Sequence, residues 1–242
     1  MAATVVIPAR YGSTRFPKKV LASESGRPLV QHVVDQCRQC KNVRRILVAT
    51  DDQRIVDALK PFGTECVMTS PTHQSGTDRI AEVAEDLEDD IVVNVQGDEP
   101  EIEPSVVDGL IRHMEVTADD MATASTPFKT LEDVANPNMV KVVTTLSGHA
   151  LYFSRSVAPF DRDKAVADAG KYQLHLGIYA YRRSFLLEFA GWKPTFLETT
   201  ERLEQLRALE HGKRIYVMPV AQATHGIDTK EQYEEFLRRV GR

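Results

Sequence analysis

The chain has 242 residues, 42% of them hydrophobic and 27% charged, with a formal net charge of −5. That length fits one large domain with a real core, and the balance is that of an ordinary globular protein. The acidic excess gives no reason to expect nucleic acid as a partner, no apolar run reaches a membrane span, and the start shows no signal-peptide pattern, which points to the cytoplasm.

ATVVIPA at 3–9 reads as a buried strand. It runs into ARYGSTRFPKK, where Arg10, Arg15, Lys18 and Lys19 fall within ten residues. In an acidic chain, such a local cluster is informative. With Gly12 as its one glycine, the loop is neither G-x-G-x-x-G nor G-x-x-x-x-G-K-[ST], so it is not the standard dinucleotide fingerprint or P-loop. It still offers backbone donors at Gly12, Ser13 and Thr14, hydroxyls, Arg forks and Lys point charges, all suited to a triphosphate. A solvated basic loop would look the same.

Next comes PLVQHVVDQCRQC, a helix opening near Pro28 with Val30, Val33, Val34 and Cys37 on one face. Cys37 and Cys40 spell C-x-x-C, but no second pair exists to complete a zinc site, and buried cysteines behave as small hydrophobes. RRILVAT is a second strand. DDQRIVDALKPFG is a helix with an Asp cap and a terminal Gly63. ECVMTS, SGTDRIAEVAEDL and DIVVNVQGD give strand, helix and strand. Near-continuous Val/Ile runs imply strands covered on both faces, hence a mostly parallel sheet with helices on each side.

The second half changes character. NMVKVVTT, GHALYFSR and YQLHLGIYAYRR are longer, more aromatic and more alternating, with LSGH as a hairpin turn between the first two. They read as an antiparallel extension or arm. LETTERLEQLRALEHG reads as one helix, KRIYVMPV as a strand and KEQYEEFLRRV as a final helix.

Ligands of open α/β sheets bind beyond the carboxyl ends of the strands, which selects four segments. Besides the cationic loop they are SPTHQSGTDR, QGDEP and HGIDT. Asp98 in QGDEP is placed either to hold a hard cation such as Mg²⁺ or to make a turn. Asp228 is either a helix cap or, if Thr229 and Gln232 form the capping box instead, a carboxylate facing the site. Gly76 allows close approach at a helix start, and Arg79 is either a buried partner or a surface charge. His175, Gly177 and Tyr179 share a strand face, which lines a cleft or simply packs. Glu198, Glu201, Glu204 and Gln205 read most simply as the solvated side of a helix whose Leu203, Leu206 and Leu209 face inward.

Taken together, IPARYGSTRFPKKVL, VATDDQRI, MTSPTHQSGTDR, VNVQGDEP, NPNMVKVV, ALYFSR, HLGIYAYR, LEQLRALEHG and GIDT stand in an order and spacing similar to the 3-deoxy-manno-octulosonate (Kdo) cytidylyltransferase family. The resemblance covers nearly the whole chain. It implies a nucleotide-diphospho-sugar-transferase-like α/β fold with a dimerisation arm, usually a homodimer. It implies one domain over 1–242, with a nucleotide-binding part at about 1–130 and a sugar-binding and dimerisation part at about 131–200. The implied reaction is Kdo plus CTP to CMP-Kdo and pyrophosphate, with Mg²⁺, in lipopolysaccharide synthesis.

By the same resemblance, Arg10, Ser13, Arg15 and Lys19 hold the CTP phosphates. Ser75, Gly76 and Thr77 lie against cytosine, with Arg79 beside them. Asp98 and Asp228 hold Mg²⁺, and Lys19, Asp98 and Asp228 carry the catalysis. Gln96, Arg155, Arg162, His175, Tyr179, Glu204 and Gln205 shape the sugar pocket. The chain departs from the family where STRLPGKPL becomes STRFPKKVL: Lys18 stands for a glycine and Val20 for a proline. A cytidylyltransferase for a related sugar acid, or a non-catalytic nucleotide binder, are the rival readings; an oxidoreductase lacks its glycine fingerprint.

Overall fold

In a computed structural model of the chain, the structure describes residues 3–12, 16–163, 166–222 and 226–241. Four parallel strands, β1 (Ala3–Pro8), β2 (Val43–Thr50), β3 (Cys66–Met68) and β4 (Ile91–Asn94), form where the apolar runs predict them. β1 lies between β2 and β4, with β3 outside β2. Their connecting helices are α1 (Leu29–Cys37), α2 (Gln53–Leu59) and α3 (Gly76–Glu85). Local chemistry sets their ends. The Asp52 carboxylate accepts the Arg54 N–H to start α2, and Ser75 with Asp78 forms a reciprocal capping box on α3.

Alternation along β1 divides the core. Val5 and Ile7 face a layer containing Val30, Val33 and Val34 of α1. Val6 faces the opposite layer, with Ile80 and Ala84 of α3. All three β1 side chains are fully buried, each stabilising the fold by about 1.5–3 kcal/mol of apolar burial.

The segment between 101 and 137 carries structure that the sequence reading passed over: α4 (Pro104–Val116), β5 (Met121–Pro127) and α5 (Leu131–Ala135). Pro104 in the first turn is a start signal for α4. MATASTP is hard to read as a strand because its small residues have little β-propensity, yet its first six positions are buried.

Beyond it lie β6 (Lys141–Thr144), β7 (Ala150–Ser154), β8 (Gln173–Arg182), α6 (Arg183–Ala190), α7 (Phe196–Glu201), α8 (Gln205–Glu210), β9 (Ile215–Pro219) and α9 (Lys230–Val240). β6 and β7 form the expected antiparallel hairpin. β8 is antiparallel as expected, but it is a central strand, inserted between β4 and β5, and not part of a peripheral arm. Its aromatic residues fill the interlayer space, with Tyr181 packed on Phe185 and Phe189.

The single helix expected over 197–212 is two. Arg202, at φ 54, breaks it between α7 and α8. The break lets the buried Arg207 guanidinium bind Glu198 at 2.9 Å and Glu204 at 3.0 Å. Glutamates that a continuous helix would turn to solvent therefore face inward.

α9 is pinned by Leu29, Ile227, Tyr233 and Phe236, which brings the chain at 226–229 over the carboxyl ends of β1 and β4. Among the described residues, no helix is long and apolar enough to cross a membrane. The three cysteines are unpaired. Burial, followed by the Asp108 charge, pushes Cys40 up to about 12, the reverse of what a metal-binding or redox thiolate needs.

At the amino end of β5, the buried Asp119 carboxylate accepts from His113 Nε2 at 2.8 Å and His149 Nε2 at 3.1 Å, and pairs with Arg214 at 3.2 Å. Burial alone would raise Asp119, but these hydrogen bonds outweigh it and hold the carboxyl below its ordinary value of 3.8. A depressed acid contributes stability above its unfolded value and loses it as the pH falls through the folded one. Asp119→Asn is expected to cost about 3 kcal/mol in urea unfolding at neutral pH, with the penalty shrinking as the pH falls below the ordinary carboxyl value. A penalty independent of pH would contradict this assignment.

Candidate active site

Three chain segments converge beyond the carboxyl ends of β1 and β4, and the close approach has a steric cause. A Cβ on Gly97 would lie 2.9 Å from the Pro8 carbonyl oxygen, so only glycine lets the loop after β4 pass the end of β1. The Ile227 N–H then donates to the Asp98 carbonyl at 2.8 Å, tying the third segment to the second. A cleft of about 530 Å³ results. Arg10, Lys19, Ser75, Gly76, Arg79, Gln96, Asp98 and Asp228, all anticipated from the sequence, line it.

Lys19 is the centre of the arrangement. Its ammonium donates to Asp98 Oδ2 at 2.6 Å and to Asp228 Oδ1 at 3.0 Å. The Lys19 side chain is 9% exposed, whereas the carboxylates are 30% and 42% exposed. The ambiguity at Asp228 is resolved by local chemistry. Thr229 caps α9, and the Gln232 side chain accepts the Asp228 and Thr229 N–H groups, so the Asp228 carboxylate points to Lys19.

Backbone geometry at the preceding residue directs Lys19 inward. Lys18 has φ 61 and ψ 20, a left-handed conformation that a Cβ disfavours. Its ammonium lies 5.7 Å from the Tyr11 ring centroid, and the Arg54 guanidinium sits 3.4 Å from the same ring. The glycine that the resemblance implies at this position would carry no such penalty, so the departure falls on a left-handed residue.

One wall is the start of α3, whose first N–H groups and dipole favour an anion. Gly76 itself abuts the Pro8 ring, 3.4 Å from where its Cβ would be. Arg79 is a buried partner: it pairs with Asp51 at 3.1 Å and donates to the Thr69 hydroxyl. Thr77 is turned away from the cleft mouth, its hydroxyl donating to Glu204.

The remaining anticipated residues lie behind or beside this cleft. A two-residue bulge in β8 opposite Thr123 and Ala124 keeps His175 and Tyr179 on one face, their rings 5.5 Å apart. Burial pushes His175 down to about 3, so it is a neutral imidazole, bonded to Thr123 Oγ1 at 3.1 Å. Burial raises the Tyr179 hydroxyl, so it too stays uncharged. Burial also raises Glu204, against the opposing pull of Thr77 and Arg207. The buried Gln205 Nε2 has no hydrogen-bond partner among the described residues, a costly state for a donor unless a ligand completes it. Arg155 donates to the carbonyls of Glu201 at 2.6 Å, Pro137 at 3.0 Å and Arg202 at 3.3 Å, bracing the α7–α8 break. Arg162 is exposed in the segment after β7. Ser13 and Arg15 lie outside the described residues.

Two contributors escaped the sequence reading. His73 lines the cleft, paired with Glu82. Glu99, next to Asp98, is pushed up to about 8 by burial and then by the Asp98 charge. Only the DE dipeptide could have pointed to Glu99, and its direction depends on the turn.

As for Mg²⁺, among the described residues no cluster of three or more His, Cys, Asp or Glu could hold a metal. Asp98 and Asp228 supply two carboxylates. That set suits Mg²⁺, which is commonly bound by one or two carboxylates together with substrate phosphates.

Comparisons with known proteins agree with this geometry. The cytidylyltransferase family model matches residues 4–215. The 3-deoxy-manno-octulosonate cytidylyltransferase of Geobacter sulfurreducens is 49% identical, over 98% of this chain and 98% of its own. That of Geotalea uraniireducens is 49% identical over 99% of each. A solved structure of CMP:2-keto-3-deoxy-manno-octonic acid synthetase complexed with CTP covers 100% of this chain and 99% of its own, at 40% identity and a TM-score of 0.94.

Replacing Lys18 by glycine removes the left-handed penalty and restores some unfolded-state entropy. Lys18→Gly is therefore expected to raise the unfolding free energy by roughly 0.5–1 kcal/mol, measured in urea, whereas Lys18→Ala is not. Equal effects of the two would mean that the loop carries no strain at this residue.

Proposed function

The chain belongs to the cytidylyltransferase family, among the 3-deoxy-manno-octulosonate cytidylyltransferases, and from that premise we propose that it transfers CMP from CTP to Kdo, releasing pyrophosphate. The observation that carries this reading is the convergence of Lys19, Asp98 and Asp228 at one end of a cleft bounded by Arg10 and the start of α3. A triphosphate brings up to four negative charges, and Arg10 and Lys19 are cations of this cleft able to meet them.

In this reading Arg10 and Lys19 bind the phosphates, Ser75 and Gly76 lie against the cytosine, and the sugar acid sits toward Tyr179, His175, Glu204 and Gln205. The uncharged His175 and Tyr179 suit a hydroxyl-rich ligand, and the unpartnered Gln205 amide gains an acceptor from it. The anomeric hydroxyl attacks the α-phosphorus in line. A new oxygen–phosphorus bond forms, and the bond to the β-phosphate oxygen breaks. Arg10 and Lys19 stabilise the charge that accumulates on pyrophosphate. Asp98 and Asp228 would hold Mg²⁺, which when bound neutralises phosphate charge as a Lewis acid. Catalysis here is positioning and charge stabilisation.

The exposed apolar side chains Leu151, Val157 and Phe160 follow one another on and after β7 and favour a homodimer contact there. The unpaired cysteines favour a reducing, cytoplasmic setting, and the product is an activated sugar for lipopolysaccharide synthesis.

Pyrophosphate release from CTP and Mg²⁺ is expected with Kdo, and weakly or not at all with a sialic acid or amino-Kdo. Asp98→Asn is expected to lower turnover on the order of 100-fold while CTP still binds. Release only with another sugar acid would overturn the substrate; binding of CTP without release in any of the three reactions would overturn the enzyme.

A further inference from the structure

Lys19 occupies the position that a shared cation would take. Its ammonium bonds to one oxygen of each carboxylate, at 2.6 and 3.0 Å, and is itself the most buried of the three groups. Asp98 and Asp228 are held together by something else, the Ile227 N–H to the Asp98 carbonyl and the Gln232 carboxamide at the Asp228 backbone. The two segments are thus joined through their backbones as well as through Lys19. The left-handed turn at Lys18 feeds the lysine in between the two carboxylates. An ammonium and a divalent ion on the same two carboxylates would repel each other at close range.

We propose that Lys19 is a resident counter-ion that competes with the divalent cation for Asp98 and Asp228, and that the nucleotide triphosphate relieves the competition by drawing the ammonium onto its own oxygens. The inference rests on the nucleotidyl-transfer reading. Lysine suits the role because its charge is a compact point on a flexible four-carbon stem, able to exchange carboxylate for phosphate partners with little backbone movement. The protein's own two carboxylates are also too few to coordinate the metal tightly alone. Both features make metal and nucleotide affinity mutually dependent, since coupling between two ligands is reciprocal. They also keep the nucleotide-free site without a tightly held metal.

The test uses Mn²⁺ as the probe, with free Mn²⁺ counted by electron paramagnetic resonance. Wild type, Lys19→Met and Lys19→Arg are titrated without nucleotide, and again with CTP but no sugar acid. Lys19→Met is expected to bind Mn²⁺ at least about tenfold more tightly than wild type without nucleotide, because the rival charge is gone. Lys19→Arg, which keeps the charge, is expected to remain weak. CTP should tighten Mn²⁺ binding more in wild type than in Lys19→Met. Adding Asp98→Asn to Lys19→Met should abolish the gain.

Equal nucleotide-free affinities in wild type and Lys19→Met, or a gain that survives Asp98→Asn, would overturn the proposal. Melting with and without Mg²⁺ reads the same competition on folded protein: Lys19→Met should be stabilised by Mg²⁺ alone, and wild type should not. If Lys19→Met does not fold, Lys19→Gln, also uncharged, replaces it with the same expected gain without nucleotide, and equal nucleotide-free affinities of wild type and Lys19→Gln overturn the proposal. Failure of nucleotidyl transfer would show separately, as no pyrophosphate with any sugar acid, while the nucleotide-free titration still decides the competition.

Discussion

The structure turns on one ammonium between two carboxylates. Lys19, Asp98 and Asp228 come from three distant parts of the chain, and their meeting requires β1, β4 and the lead-in to α9 to end at the same place. Such a group is costly to bury unpaired, so the loops that deliver it must be fixed with some accuracy. Gly97 against Pro8, Ile227 against Asp98, and the Thr229–Gln232 capping box each remove a degree of freedom from that meeting. The helix cap therefore acts on the cleft: because Thr229 and Gln232 satisfy the start of α9, Asp228 is directed to Lys19.

The same economy of placement governs the residues behind the cleft. β8 lies in the middle of the sheet and carries His175 and Tyr179, their rings 5.5 Å apart. Burial keeps both side chains neutral, in contrast to Lys19, Asp98 and Asp228 in the cleft. The α7–α8 break, held by Arg207 and braced by Arg155, turns Glu204 and Gln205 inward. Arg155, which the resemblance places among the residues shaping the sugar pocket, donates to three backbone carbonyls around that break.

Much of this was legible in the residues, and the limits have physical causes. Val/Ile runs revealed β1, the end of β2 and β4 because strands buried on both faces are built largely from such residues, whereas the short, partly exposed β3 was read from its place between two helices. β5 was missed because Ala, Thr and Ser carry little strand preference, and only tertiary packing makes MATASTP a central strand. The position of β8 could not be read from its own sequence, since pairing partners are a property of the whole sheet. At Asp228 two capping patterns overlapped, and only the geometry of α9 chose between them. The conformation of Lys18 was invisible in the letters, though the resemblance, which implies a glycine there, marked the place. Glu198, Glu201 and Glu204 looked solvated because the helix was read as continuous; one left-handed residue, Arg202, redirected them.

The most direct test of the account is a crystal structure of the protein with CTP and Mg²⁺, read at the Lys19 ammonium. The account predicts that Nζ lies within hydrogen-bond distance of a phosphate oxygen and no longer bridges the carboxylates, which instead face the metal. Lys19 still bonded to both Asp98 and Asp228, with the metal and phosphates held elsewhere, would contradict it.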